Sequence, residues 1–136
     1  HLQRRRQRQM CIRDRKMLQP IAIDRNKPKE AIMKTLKDGS NRLSNGMYVL
    51  LFPEGTRVEA GRVGNYARSS FELAKRNNVM VLPICHNSGD CWPAHKFVKR
   101  AGTIKLILGK PFYVKDSKDS AEKVQSWVKD TLMEKV

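Results

Sequence analysis

Residues 47–52 read Met-Tyr-Val-Leu-Leu-Phe and run straight into Pro53, and no other feature limits the fold as tightly. Six apolar residues without polar alternation suit a strand covered on both faces, as in sheets with helices on either side. Pro53 ends the run because it has no N–H to give a ladder. The neighbouring segments fit the same scheme. Residues 18–23 are a second short apolar run, closed by Asp24-Arg25. Residues 29–43 place Ile32, Leu36 and Leu43 on one helical stripe, with Pro28 in the first turn and Asn45-Gly46 as the stop. Residues 66–77 put Ala67, Phe71 and Ala74 on one helical face, and residues 79–84 and 103–108 read as further strands, the latter closed by Gly109-Lys110-Pro111. Residues 119–136 predict an amphipathic helix with Ala121, Val124, Val128 and Leu132 inward and a capping box of Asp119 with Glu122. Strands alternating with helices predict βαβ units: an α/β fold with a mainly parallel sheet flanked by helices. Ligands of such sheets bind beyond the carboxyl ends of strands, which directs attention to the loops after Ile23, Phe52 and Ile84.

The chain has 136 residues and a formal charge of +15, so it is one domain or part of one and its partners are anionic. Part of that charge is foreign to the fold. Residues 5–14 back-translate without a gap to CGT CGG CAG CGT CAG ATG TGT ATA AGA GAC, which resembles the end of a transposase-based sequencing-library adapter. Residues 1–15 are therefore read as an adapter-coded, disordered scar and set aside. They hold six Arg and one Asp, and residues 16–136 keep +10. That balance favours phosphate groups or acidic lipid surfaces, and it weakens the case for a nucleic-acid module, since no recognition helix or aromatic platform accompanies it. Cys85 and Cys91 are unpatterned, which suits a reducing, cytosol-facing protein. No run of 18 apolar residues is present.

The loop after residues 47–52 carries the chemistry: Phe52-Pro53-Glu54-Gly55-Thr56-Arg57. Gly55 lets the backbone approach a ligand, Thr56 adds a hydroxyl, and the planar fork of Arg57 matches a phosphate bidentately. Glu54 orients Arg57 or accepts from a substrate hydroxyl; composition alone equally allows an ordinary loop closed by a Glu54–Arg57 ion pair. Phe-Pro-Glu-Gly-Thr-Arg resembles the third motif of the glycerophospholipid acyltransferase family, of the bacterial lysophosphatidic acid acyltransferase kind. Ala22-Ile23-Asp24-Arg25 is similar to the second motif, without the usual Gly and Phe ahead of it, and Val81-Leu82-Pro83-Ile84 is similar to the fourth. His86-Asn87-Ser88-Gly89-Asp90-Cys91-Trp92-Pro93 resembles the segment that follows. The matches stand in the family's order over residues 18–113.

The resemblance implies a glycerol-3-phosphate acyltransferase-like fold, with residues 16–136 as the C-terminal part of a single acyltransferase domain, incomplete at the N-terminus. It implies that Arg25, Glu54, Gly55, Thr56 and Arg57 bind the phosphate and glycerol of lysophosphatidate, and that Pro83 packs near the acyl-donor site. The donor is acyl-CoA or acyl-carrier protein, no metal or cofactor takes part, and the product is phosphatidate for phospholipid biosynthesis. The setting is the cytoplasmic face of the bacterial inner membrane, with an anionic membrane surface and no nucleic acid as partner. One element of the pattern is missing. The family's Asn-His-x-x-x-x-Asp motif, whose His serves as base, has no counterpart here, and the only earlier histidine is His1. The catalytic set is thus expected to be absent from these residues, and the chain by itself to be inactive. The opposing reading is a catalytically inactive binder of anionic lipid or nucleic acid.

Three constellations compete for attention. His86 and Asp90 have one residue too few between them for the family's spacing and are read as a loop pair or a donor contact. Cys85, His86, Cys91 and His95 fit no usual zinc spacing, and adjacent Cys85 and His86 point oppositely on a strand. Trp92 and Phe97 are read as loop-packing or core residues, or as lipid-facing ones.

Overall fold

The computed structural model describes residues 17–24, 26–94 and 96–135, with Lys135 described by its backbone alone. Residues 1–16, Arg25, His95 and Val136 lie outside the described residues, and with them the segment 1–15 expected to be a disordered scar. The elements in chain order are helices α1 (Pro28–Ser44) and α2 (Ser69–Arg76), strands β1 (Met80–Val81) and β2 (Ile84–His86), a one-turn helix α3 (Ser88–Cys91), strands β3 (Leu106–Leu108) and β4 (Phe112–Tyr113), and helix α4 (Ser117–Lys135). They fall into two compact units, His1–Gly39 and Ser40–Val136, the division lying within α1.

In the first unit the strand expected over residues 18–23 does not form. Leu18 and Ile23 are exposed and no ladder partner exists among the described residues. Asp24 instead makes a turn, its Oδ1 accepting from the Asn26 N–H at 2.9 Å. Helix α1 follows as its stripe requires, with Leu36 buried, although Ile32 stays about half exposed at 47%. Its end is set by glycine. Gly46 takes φ +73°, and the N–H groups of Gly46 and Met47 reach back to Leu43 and Arg42, both at 3.0 Å. This double closure satisfies carbonyls the helix leaves open and needs a left-handed residue at Gly46.

The second unit is built on one antiparallel ribbon. Strand β1 pairs with β4 (Met80 opposite Tyr113) and β2 with β3 (Ile84 opposite Leu108, His86 opposite Leu106). The run expected as one strand over residues 79–84 is split at Pro83, which cannot donate; its carbonyl accepts from the Gly109 N–H at 2.9 Å. Leu82 and Pro83 face the three residues 109–111, so one extra residue is accommodated as a bulge. A side chain at Gly109 would press on Trp127 and Pro83, since a Cβ there would lie 3.1–3.3 Å from both.

The sheet pairings are therefore antiparallel among the described residues, and the expected parallel sheet is corrected. A parallel return needs a crossover of about a dozen residues, usually a helix. Between β2 and β3 the described residues form only the single turn α3 and no further helix, and the chain comes back alongside β2 in the opposite direction. Residues 47–52, expected to be buried on both faces, also form no strand: Tyr48, Leu50 and Phe52 are exposed while the residues between them are half buried.

Helices α2 and α4 pack on one side of the ribbon. Phe71 and Ala74 meet Cys85, Val114, Ala121, Val124 and Val128 in the core, with Tyr66, Ile107, Phe112, Trp127 and Leu132 around them. Helix α2 begins later than its periodicity suggests, because the Ala67 N–H is taken by the Pro53 carbonyl at 2.8 Å. Glu72 joins the helices: one carboxylate oxygen accepts from Arg76 at 2.8 Å and the other from the Ser117 hydroxyl at 2.7 Å. The cap of α4 is Asp116, not Asp119. Its Oδ1 accepts from the N–H groups of Asp119 at 2.9 Å and Lys118 at 2.8 Å, the bonds that an aspartate just ahead of a helix makes.

Those bonds, Asp119 first, hold the Asp116 carboxyl below its usual range. A depressed folded pKa means stability that is present above the unfolded pKa and lost as pH falls through the folded one. Asp116→Ala is accordingly expected to lower the melting temperature near neutral pH, and the gap from the parent to close as the pH drops below the ordinary aspartate range. Thermal melts across that range read both effects.

Candidate functional site

Proline and glycine shape the loop after residues 47–52. Pro53 occupies the second position of a tight turn that closes with the Gly55 N–H on the Phe52 carbonyl at 3.0 Å. Gly55 has φ +65°, a conformation strained for any residue with a side chain, and a Cβ there would meet nothing within 4 Å. The glycine thus serves backbone direction and leaves open space above the turn.

Beyond it the side chains divide in role. Glu54 is half buried and turns back into the protein, its Oε1 accepting from the Gly64 N–H at 3.2 Å. The Gly64 carbonyl in turn accepts from Gln125 Nε2 at 2.8 Å, so α4 fixes the strip of chain that holds Glu54. Gly64 is required by crowding: a Cβ there would stand 2.9 Å from the Val58 side chain. Tyr66 completes the arrangement. Burial, then the negative charge of Glu54 and the Cys85 thiol, push its phenol up to about 12, so it stays a neutral hydrogen-bonding group beside Glu54. Thr56 and Arg57 are exposed, and no described residue pairs with Arg57. The Glu54–Arg57 ion pair that composition allowed is absent among the described residues. Glu54 is a clamp within the protein, and Arg57 offers its guanidinium to solvent.

The structure brings Glu54, Gly55, Thr56 and Arg57 together in one loop. Arg25 lies outside the described residues, as does His95. Pro83 is buried between β1 and β2. Gly64 and Gln125 were missed in the sequence because the bonds from Gly64 to Glu54 and from Gln125 to Gly64 span 10 and 61 positions, and Tyr66 because its nearness to Glu54 is set by burial; a glycine-spaced loop before a helical face was the one available hint.

The competing constellations also resolve. His86 Nδ1 faces the Ser88 hydroxyl at 2.9 Å, not Asp90. Cys85 is 1% exposed in the core while its neighbours Ile84 and His86 are exposed, the alternation expected of a strand. Phe97 is not packed into a core: it is 99% exposed, and Trp92 is 54% exposed with the Lys99 ammonium 3.9 Å above its ring centre.

Residues 9–87, more than half the chain, match the acyltransferase family. A 1-acyl-sn-glycerol-3-phosphate acyltransferase of Pseudomonas aeruginosa is 37% identical over 123 residues, which cover 87% of this chain and 48% of the relative. A chloroplastic enzyme of the same description from Arabidopsis thaliana is 29% identical over 71% of this chain and 28% of its own length. The chain thus spans about half or less of the curated relatives it matches. In three dimensions it resembles the crystal structure of the 1-acyl-sn-glycerophosphate (LPA) acyltransferase PlsC from Thermotoga maritima, with a TM-score of 0.67 and 25% identity over 73% of this chain and 43% of that one. With the family pattern covering residues 9–87 and an α/β fold shared with a solved member, the chain belongs to the acyltransferase family.

Proposed function

We propose that this chain is the acceptor-binding part of an enzyme that transfers an acyl group from acyl-CoA or acyl-carrier protein to the free hydroxyl of lysophosphatidate, giving phosphatidate. The observation that carries the reading is the division of labour in residues 54–57. Glu54 is spent on the Gly64 N–H, while Arg57 stands exposed with no described partner, beside the open space above Gly55. A phosphomonoester carries the charge and the paired oxygens that such a guanidinium accepts. Thr56 adds a hydroxyl at the same turn, and Arg25 is a further phosphate ligand. Pro83 packs near the donor. The basic chain works at an anionic membrane surface, on the cytoplasmic face of the bacterial inner membrane, and the family names of its relatives support the acceptor chosen.

The test is acceptor kinetics in a longer protein carrying these residues. Arg57→Ala removes a charge-assisted phosphate contact worth about 1.5–3 kcal/mol, or about 10- to 150-fold in kcat/KM for lysophosphatidate. Dependence on the acyl donor is expected to stay as in the parent. Unchanged acceptor kinetics would remove Arg57 from the phosphate site.

A further inference from the structure

Residues 91–115, from the end of α3 to just short of α4, are the longest stretch of the chain without Asp or Glu and hold six Lys or Arg, four of them between α3 and β3. Within it Phe97 and Val98 are 99% and 67% exposed, flanked by the exposed Lys96, Lys99 and Arg100. This protrusion is built, not frayed. Its neck is closed by the Arg100 N–H on the Cys91 carbonyl at 2.8 Å. Asn87 Oδ1 accepts from the Lys105 N–H at 2.8 Å just beyond, and the Lys99 ammonium lies on the Trp92 ring. A Cβ at Gly102 would stand 2.9 Å from the Cys91 sulfur, so a larger residue there would push that side chain aside.

An exposed apolar pair costs free energy in water, and a ring of cations around it repels a second copy of the same charge. Both features become favourable at one kind of surface: apolar below and anionic above. We propose that the 96–100 protrusion is a membrane foot, with Phe97 and Val98 entering the acyl boundary of an anionic bilayer while Lys96, Lys99 and Arg100 lie against lipid phosphates. Trp92 sits behind them at headgroup level, where indoles concentrate. The inference deepens the proposed function by naming the residues that meet the lipid surface, and it rests on that reading only for the identity of the membrane. The neck bonds mean the foot is ordered before it inserts, so little conformational freedom is lost on binding.

The test is co-sedimentation of the full chain with vesicles of phosphatidylcholine containing phosphatidylglycerol, against phosphatidylcholine alone, with neither lysophosphatidate nor acyl donor present. Acyl-transfer results therefore bear on the enzyme reading and leave this one untouched. The arginines of residues 1–15 are common to every variant and set a shared baseline. Phe97→Ser with Val98→Ser is expected to weaken partitioning to anionic vesicles about tenfold. Lys96→Gln, Lys99→Gln and Arg100→Gln together are expected to weaken it about a hundredfold, given roughly fivefold per basic residue at a lipid surface. Circular dichroism like the parent's shows that both variants are folded. Brominated lipid is expected to quench Trp92 but not Trp127, read in Trp127→Phe and Trp92→Phe backgrounds. Parent-like binding by either variant would overturn the proposal, as would a matching loss against duplex DNA alone. A parent that is dimeric and becomes monomeric on Phe97→Ser would assign the protrusion to self-association instead.

Discussion

Given lysophosphatidate and an acyl thioester, the 136-residue chain is expected to turn over about 10²–10⁴-fold more slowly than a longer chain supplying Asn-His-x-x-x-x-Asp upstream of Leu18. A glycerol hydroxyl is a poor nucleophile near neutral pH, and attack on a thioester carbonyl requires its proton to leave as the C–O bond forms. Among the described residues, the proposed acceptor loop has its one side-chain hydrogen bond at Glu54, which accepts from the Gly64 N–H, and none to a histidine. His86 lies on β2, with Nδ1 engaged by the Ser88 hydroxyl at 2.9 Å, and among the described residues no carboxylate bonds its ring. Chromatographic detection of phosphatidate from the two chains, at matched acceptor concentration, measures the difference. Fast thioester-dependent acylation by residues 16–136 alone would overturn the expectation, and its loss on His86→Ala would make His86 the base.

Phe71→Ala is expected to cost about 3–5 kcal/mol of folding stability. Phe71 is 3% exposed and lies where α2, α4 and the ribbon meet, against Cys85, Val124 and Val128. Removing the ring leaves a void in the core that its neighbours close only in part. Domains have only about 5–15 kcal/mol in total, so the variant is expected to unfold at much lower urea or to be unfolded outright. Phe71→Leu keeps most of the volume and is expected to cost less than about 1.5 kcal/mol. Phe97→Ala, at a fully exposed ring, is the control and is expected to leave the urea midpoint in place. Equal midpoints for Phe71→Ala and the parent would contradict the core assignment.

The helices were legible because their signals are local. A stripe of 3.6-residue period with Pro28 at one end and Asn45-Gly46 at the other places α1 within a residue of where it runs, and Ala121, Val124 and Val128 mark the buried face of α4. Capping was read one turn too far along, since Asp116 and Asp119 are equally good caps on paper and only the chain's path chooses between them. Strand direction was the main loss. An apolar run has the same composition whether its neighbour is parallel or antiparallel; the clue was the lack of a helical stripe between residues 92 and 105, which leaves no crossover. The motif at residues 52–57 was visible as letters, and Gly55 does take the left-handed turn. That Glu54 is bonded to Gly64, and Gly64 to Gln125, depends on contacts between segments far apart in the chain, which periodicity does not encode.

The exposed row of Tyr48, Leu50 and Phe52 has a consequence for how the molecule behaves in a tube. These residues alternate with half-buried ones along a stretch that has no ladder partner among the described residues, so an apolar row faces outward there. An exposed apolar row of this kind favours association with other chains. What holds copies apart is their common positive charge, and that repulsion reaches only about 8 Å at physiological ionic strength. Colloidal stability of this chain is therefore expected to hinge on dilute buffer: raising salt removes the repulsion that keeps the sticky row from meeting another copy.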